Sequence, residues 1–324
     1  MSIRDAAWMM QAGVLCRRAR RSAEQVGVAL VYHRVGGEGG DATREILPAV
    51  SGTAFARQLR HFRRHYRVVP AGELLEAVRT RRLGEPFPVS ITFDDDLTSH
   101  MLNALPALLA AAVPATFFLG GWSLRGPHSF WWQDLQLALD EGLVEPHSLP
   151  HVAEADVRAA LERAPKAIFR VAAAIEGLDR QQREETAGVL RAAVGEAGPE
   201  NGLRAADVQS LVASGQEVGF HTLRHDALPA LSDDALAAAM HDGRDELAAV
   251  TGTRLDLISY PHGKADARVA QVARGTGFTL GFTTRRSTVT PKTDPLLIPR
   301  IPPALAAGKT ALRIAQAVAS SAAQ

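Results

Sequence analysis

Short apolar runs rich in β-branched and aromatic residues recur along the chain, and most are followed by a stretch with helical spacing. Val26 to Tyr32, Val68-Val69, Pro88 to Phe93, Ala115 to Leu119, Glu217 to Phe220, Leu255 to Tyr260, Phe278 to Thr283 and Leu296 to Ile301 read as strands. Between them, Thr53 caps a helix that carries Phe55, Leu59, Phe62 and Tyr66 on one side, the spacing of a buried stripe. Further helices are expected over Ala71 to Arg81, Asn103 to Val113, Ala206 to Ala213 with Gly215 as terminator, and Asp266 to Arg274. Ser232-Asp-Asp opens one long helix, and the chain closes with another from about Thr310.

Alternation of strand and helix implies parallel pairing and an α/β fold, for which an open doubly wound sheet and a closed barrel both qualify. No Gly-x-Gly-x-x-Gly turn follows an early strand, so a dinucleotide fold has no support. The rhythm breaks between Gly121 and Arg204, a helical stretch rich in Ala, Arg and Glu that reads as an insertion. The resulting division is an amphipathic helix at 1–25, a barrel over 26–309 interrupted by the insertion at about 121–204, and a final helix at 310–324.

Composition adds a few limits. The 324 residues are 46% hydrophobic, enough for a sizeable core. Lys and Arg number 36 against 35 acids, a net +1 that gives no sign of a nucleic-acid partner. The lone Cys16 allows no internal disulfide and no cysteine metal cage. At the N-terminus, Asp5 and Gln11 interrupt a short apolar patch and the arginines follow it, which is the reverse of a secretory signal. The plainer reading is a solvated surface helix; the sharper one is peripheral contact with an anionic membrane. No run approaches the ~18 apolar residues of a span, so a cytoplasmic or membrane-peripheral location is expected.

The chemistry gathers at the ends of strands. Asp94, Asp95 and Asp96 close one apolar run, where a cation or solvent would relieve their repulsion. His221 and His225 follow another, and lie on one face if the segment turns helically. Two imidazoles with a carboxylate suit zinc or another divalent metal. Pro261-His262-Gly263 stops a third strand in a turn that can aim a backbone N–H outward. Tyr32-His33-Arg34 follows a fourth. One barrel mouth could collect all four.

Taken in order, Thr92-Phe-Asp-Asp95, His221-Thr-x-x-His225 and Tyr260-Pro-His-Gly263 resemble the motifs of the NodB-type polysaccharide deacetylases, carbohydrate esterase family 4. The likeness spans roughly Ala29 to Ile301. It implies a distorted (β/α) barrel with fewer than eight regular units, and an N-deacetylase acting on an N-acetylated polysaccharide or glycan. It also implies one divalent metal ion, zinc by preference, held by Asp95, His221 and His225. Asp94 is then the base that activates the attacking water, and the backbone N–H of His262 the oxyanion donor.

The sequence departs from the family in three places. Asp96 stands where a Gly usually follows the Asp pair, and Ser259 where many members carry an Arg. The last strand, Leu296 to Ile301, lacks the usual Leu-x-His acid. A circularly permuted branch begins with a Tyr-His strand, which makes His33 the expected acid. Arg300 is a candidate to orient Asp94 in place of the missing Arg, its plainer reading being a surface ion pair. Trp131 and Trp132, in Phe130-Trp-Trp132, are candidates for a sugar-stacking platform or else a packing face.

Two rival functions remain at this level. A catalytically inactive glycan-binding pseudo-deacetylase is favoured by the missing acid. A haloacid dehalogenase-type phosphotransferase is suggested by Asp94-Asp-Asp-Leu-Thr98, but it needs a later strand ending in paired acids. Asp242 to Asp245 reads as helix instead.

Overall fold

The structure is a computed structural model describing residues 2–37, 39–126, 128, 130–195 and 202–321. Its strands are Val28–Tyr32 (β1), Arg67–Val68 (β2), Pro88–Asp94 (β3), Thr116–Leu119 (β4), Glu217–Phe220 (β5), Leu257–Ser259 (β6), Leu280–Phe282 (β7) and Arg300–Ile301 (β8). They pair in the order β7-β6-β5-β4-β3-β1-β8, with β2 beside β3, and every ladder is parallel. The ring nearly closes through Ile298, just before β8. Its N–H donates to the Gly281 carbonyl at 2.8 Å, and its carbonyl accepts from the Thr283 N–H at 2.8 Å. This is the expected distorted (β/α) barrel.

Alternation along β3 shows why the sequence folds this way. Val89, Ile91 and Phe93 join the large apolar core beneath the helices, together with Val28, Leu30 and Tyr32 of β1. A separate apolar group, including Ala29, Phe118, Phe282 and Ile298, fills out the opposite faces of these strands. Seven consecutive buried positions in β3 match a parallel strand covered on both sides.

Two compact units emerge. The first comprises residues 1–38, 50–125 and 203–324 and holds the barrel. Its helices are Ile3–Ala19 (α1), Gly52–His65 (α2), Leu74–Arg79 (α3), Leu105–Ala111 (α4), Ala205–Ala213 (α9), Asp233–His241 (α10), Arg244–Thr251 (α11), Ala267–Gly275 (α12) and Ala307–Ser321 (α13). Ala12 and Cys16 bring α1 into the main core, and the helix packs along α13 and α2. The second unit comprises residues 39–49 and 126–202. It is built from Trp131–Asp140 (α5), Glu154–Leu161 (α6), Ala167–Glu176 (α7) and Arg180–Val194 (α8), around Leu135, Val157, Val171, Ile175 and Leu190.

Several local expectations shift. The cap of α2 is Ser51, in extended backbone, whose Oγ accepts from the Ala54 N–H at 3.2 Å; Thr53 sits inside the first turn. The helix after Ser232 is two helices. Gly243 takes a left-handed conformation (φ +80°) that a regular helix cannot accommodate, so Asp242-Gly243 is a break between α10 and α11. Before α4, residues His100–Ala104 form a π-helical turn.

Candidate active site

Strand register assembles the centre. β1 and β3 pair Tyr32 with Phe93, so the residues that follow, His33 and Asp94, stand side by side at the C-terminal ends of neighbouring strands, about 5 Å apart in backbone. Asp94 is the last residue of β3, Ser259 the last of β6, and His221 follows β5 directly. Functional groups of parallel α/β barrels collect at this end.

Asp94 is buried and held from two sides. Arg300 Nη1 donates to its Oδ1 at 2.7 Å and Nη2 to its Oδ2 at 2.6 Å, a two-pronged pair. Ser259 Oγ donates to Oδ2 at 3.0 Å. Arg300 is fully buried, which is tolerable because all five of its N–H donors find acceptors. Besides the two carboxylate oxygens these are Thr92 Oγ1 at 2.9 Å, Ser259 Oγ at 2.7 Å and the Thr283 carbonyl at 3.1 Å. The surface ion pair considered for Arg300 is thus corrected to a buried one. Burial alone would raise the Asp94 carboxyl, but the charge of Arg300, then His221, outweighs it and holds Asp94 ionised.

Beside it, Asp95 adopts φ +72° and turns its carboxylate toward the two histidines. Its Oδ1 lies 3.5 Å from His221 Nε2 and 3.6 Å from His225 Nε2, and this buried oxygen has no hydrogen-bond partner. One ligand atom from each residue falls within 4.8 Å of the others. His221 Nδ1 meets the Ser259 carbonyl at 2.8 Å, which fixes the ring and leaves Nε2 toward Asp95. Burial penalises the Asp95 carboxylate, yet His221 and His225, and then His33, pull its pKa far below the usual range. Burial holds His225 neutral against the pull of Asp95.

The two imidazoles do not meet on a helix. Thr222 (φ +60°) and His225 (φ +51°) fold the segment back as a loop, and the ring centroids come within 5.1 Å. The helical route to this pairing is therefore corrected, while the pairing itself forms. His262 also has a left-handed backbone (φ +57°), and its ring lies 4.6 Å from that of His225. Gly263 next to it must be glycine, since it has φ +65° and a Cβ there would run into the Thr284 side chain.

Asp96 does something the sequence did not announce. Its carboxylate accepts from three successive backbone N–H groups, Gly120 at 2.8 Å, Gly121 at 2.9 Å and Trp122 at 3.0 Å. It thereby pins the turn after β4, whose Trp122 ring lies 5.8 Å from that of His225. Burial raises the Asp96 carboxyl to about 7. Trp131 and Trp132 belong to the second unit. Trp132 is buried and stacked on Phe130 at 4.7 Å, and Trp131, partly buried, packs on that unit's core.

The parallel barrel thus carries an arginine-held carboxylate beside a carboxylate–bis-imidazole group that could hold a metal ion. Among the described strands, β6, β7 and β8 end in Ser259, Phe282 and Ile301, so none of them supplies the paired acids of a phosphotransferase. The polysaccharide deacetylase family model matches residues 167–281, a stretch that contains His221, His225 and His262. The deacetylase PplD of Streptococcus pyogenes, solved in complex with acetate, is similar in structure with a TM-score of 0.59 and 18% identity, covering 90% of this chain and 98% of that one. IcaB from Ammonifex degensii gives a TM-score of 0.58 at 20% identity, covering 91% and 98%. The BpsB deacetylase domain from Bordetella bronchiseptica gives 0.52 at 15%, covering 87% and 97%. No curated protein matches the sequence. The fold is that of the NodB-type polysaccharide deacetylases, and the polysaccharide deacetylase family model matches part of the chain.

Proposed function

We propose that the chain is a metal-dependent N-deacetylase of an N-acetylated glycan, its centre formed by Asp94, Asp95, His221 and His225 with His33 as proton donor. The observation that carries this reading is the buried Asp95 oxygen without a hydrogen-bond partner, facing two imidazoles beside the arginine-held Asp94. Those three ligands fit a divalent cation, and two nitrogens with one oxygen favour zinc. Such a cation, when bound, would polarise the acetyl carbonyl and make an attacking water more acidic.

The remaining work falls to the chain's own groups. Asp94 takes the proton of the water at its carboxylate, which Arg300 and Ser259 hold in a single orientation. His33, beside Asp94 at the barrel mouth, delivers a proton to the departing nitrogen. The His262 backbone N–H is assigned to stabilise the oxygen that becomes negative. His225 retains 16% side-chain exposure, so the centre is reachable from one side.

The metal part is tested by elemental analysis and acetate release. Wild-type protein is expected to hold about one zinc per chain, to lose activity with chelator and to regain it with zinc. Asp95→Ala and His225→Ala are expected to lose both metal and activity. Full activity in the thoroughly chelated protein would sink the metal assignment.

A peripheral membrane contact through α1 is favoured by a separate observation. Ile3 and Met10 are 92% and 73% exposed, and with Arg17, seven residues further on, they share one stripe of the helix. No described helix is long and apolar enough to cross a membrane. Co-sedimentation with phosphatidylserine-containing vesicles is expected for the wild type and lost in Ile3→Glu/Met10→Glu. Equal behaviour of the two proteins overturns the contact.

A further inference from the structure

Resting on the reading of His33 as the proton donor, we propose that His100 is the positioning residue that fixes His33, through a hydrogen bond from its ring to the His33 carbonyl. His33 lies one residue beyond the end of β1, where the regular ladder stops. Backbone pairing resumes at Arg34 to Gly36, whose carbonyl and N–H bond to Val50 at 3.0 and 2.9 Å. Between these two anchors, His100 Nε2 stands 2.9 Å from the His33 carbonyl oxygen. A carbonyl only accepts, so the proton is on Nε2 and the ring donates.

The ring is built to do this and little else. It is fully buried, with Phe93 5.2 Å from it by centroid and Phe117 5.5 Å. Burial pushes its pKa down to about 4, so it stays neutral and keeps one tautomer at any ordinary working pH. Its Nδ1 has no partner, so the ring is oriented by the His33 bond and by packing alone.

His100 opens the π-helical turn that follows the Asp94–Asp96 loop, a distortion that is rare in helices and tends to mark functional positions. The segment that supplies the base therefore also grips the backbone of the acid. Proton acceptor and proton donor are referenced to one piece of chain, and their separation is set by it. A displacement of about 1 Å in a reacting group can cost on the order of 100-fold in rate.

The test separates leaving groups. An acetamide needs its departing amine protonated, whereas para-nitrophenyl acetate releases a stable phenolate and needs no acid. His100→Phe preserves the ring packing and deletes the donor; His100→Gln keeps a donor. For His100→Phe the expectation is a fall of about 10- to 100-fold in kcat on an N-acetylglucosamine oligomer, with KM and zinc content unchanged. Ester hydrolysis should stay within about 3-fold, and His100→Gln should recover most of the oligomer rate. A parallel fall on both substrates, a loss in KM rather than kcat, or an unchanged oligomer rate overturns the proposal. If His100→Phe does not fold, His100→Asn, whose donor is too short to reach, takes its place with the same outcomes. Failure of the underlying reading looks different: the wild type then releases no acetate, or His33→Ala leaves the ratio of oligomer to ester rates unchanged.

Discussion

Arg300 sits on β8, at the far end of the strand order from β6, yet it reaches both Asp94 and Ser259. It holds Asp94 in the place the sequence suggested for it, with Ser259 at the position where many members carry an Arg, and Ser259 bonds to both. A guanidinium fork matches a carboxylate where an ammonium does not. Arg300→Lys is therefore expected to lower kcat by about 10- to 100-fold while the protein still folds. Charge removal acts on pH. Arg300 lowers the Asp94 pKa, and on the proposed role of Asp94 as the anionic base, activity is expected to be lost as pH falls through that pKa. In Arg300→Gln the pKa rises, and the acid limb of kcat/KM is expected to move to higher pH. An acid limb that stays in place would show that Arg300 does not tune Asp94. The carboxylates themselves were legible in the sequence because an apolar strand ran straight into them. The burial of Arg300 was not, because its acceptors come from three separate places in the chain: Thr92 and Asp94 on β3, Ser259 on β6, and Thr283 just after β7.

At the scale of elements, the loops after β3, β4 and β5 are held as one assembly. Asp96 bonds the turn after β4, and that turn's Trp122 packs by the His225 ring on the loop after β5. Asp96→Ala leaves three buried N–H groups without their acceptor, and a cost of about 2 to 4 kcal/mol is expected in chemical denaturation. A change below ~0.5 kcal/mol would mean that the turn holds itself. Strand positions were readable because period-two alternation and parallel pairing leave strong apolar runs. The shapes of the loops were not, because they rest on left-handed residues that are not glycine. Asp95, Thr222, His225 and His262 all have positive φ, and nothing in their side chains announces it. Such strained backbone is affordable where surrounding contacts hold it, and here it brings metal-binding and catalytic candidates together. The break between α10 and α11 was visible as Gly243, but a strong cap at Ser232 drew attention to a continuous helix.

For the whole molecule, β1 pairs directly with both β3 and β8, which brings the first and last strands of the sequence together, and a bridge from Phe282 to Ile298 nearly closes the ring. That pairing puts an N-terminal His33 near Asp94, with Arg300 reaching in from the last strand. The alternation of strands and helices made this architecture legible. The association of residues 39–49 with 126–202 was not, since it is a contact across the chain with no local pattern. The central claim, that Asp94 is the base of a working deacetylase, is tested most directly by acetate release from an N-acetylglucosamine oligomer. Zinc-loaded wild type and Asp94→Asn are to be compared at equal metal content. The account predicts steady release by the wild type and a fall of at least about 100-fold in Asp94→Asn. Equal rates in the two proteins, or no release by a zinc-loaded wild type that still binds the oligomer, would contradict it.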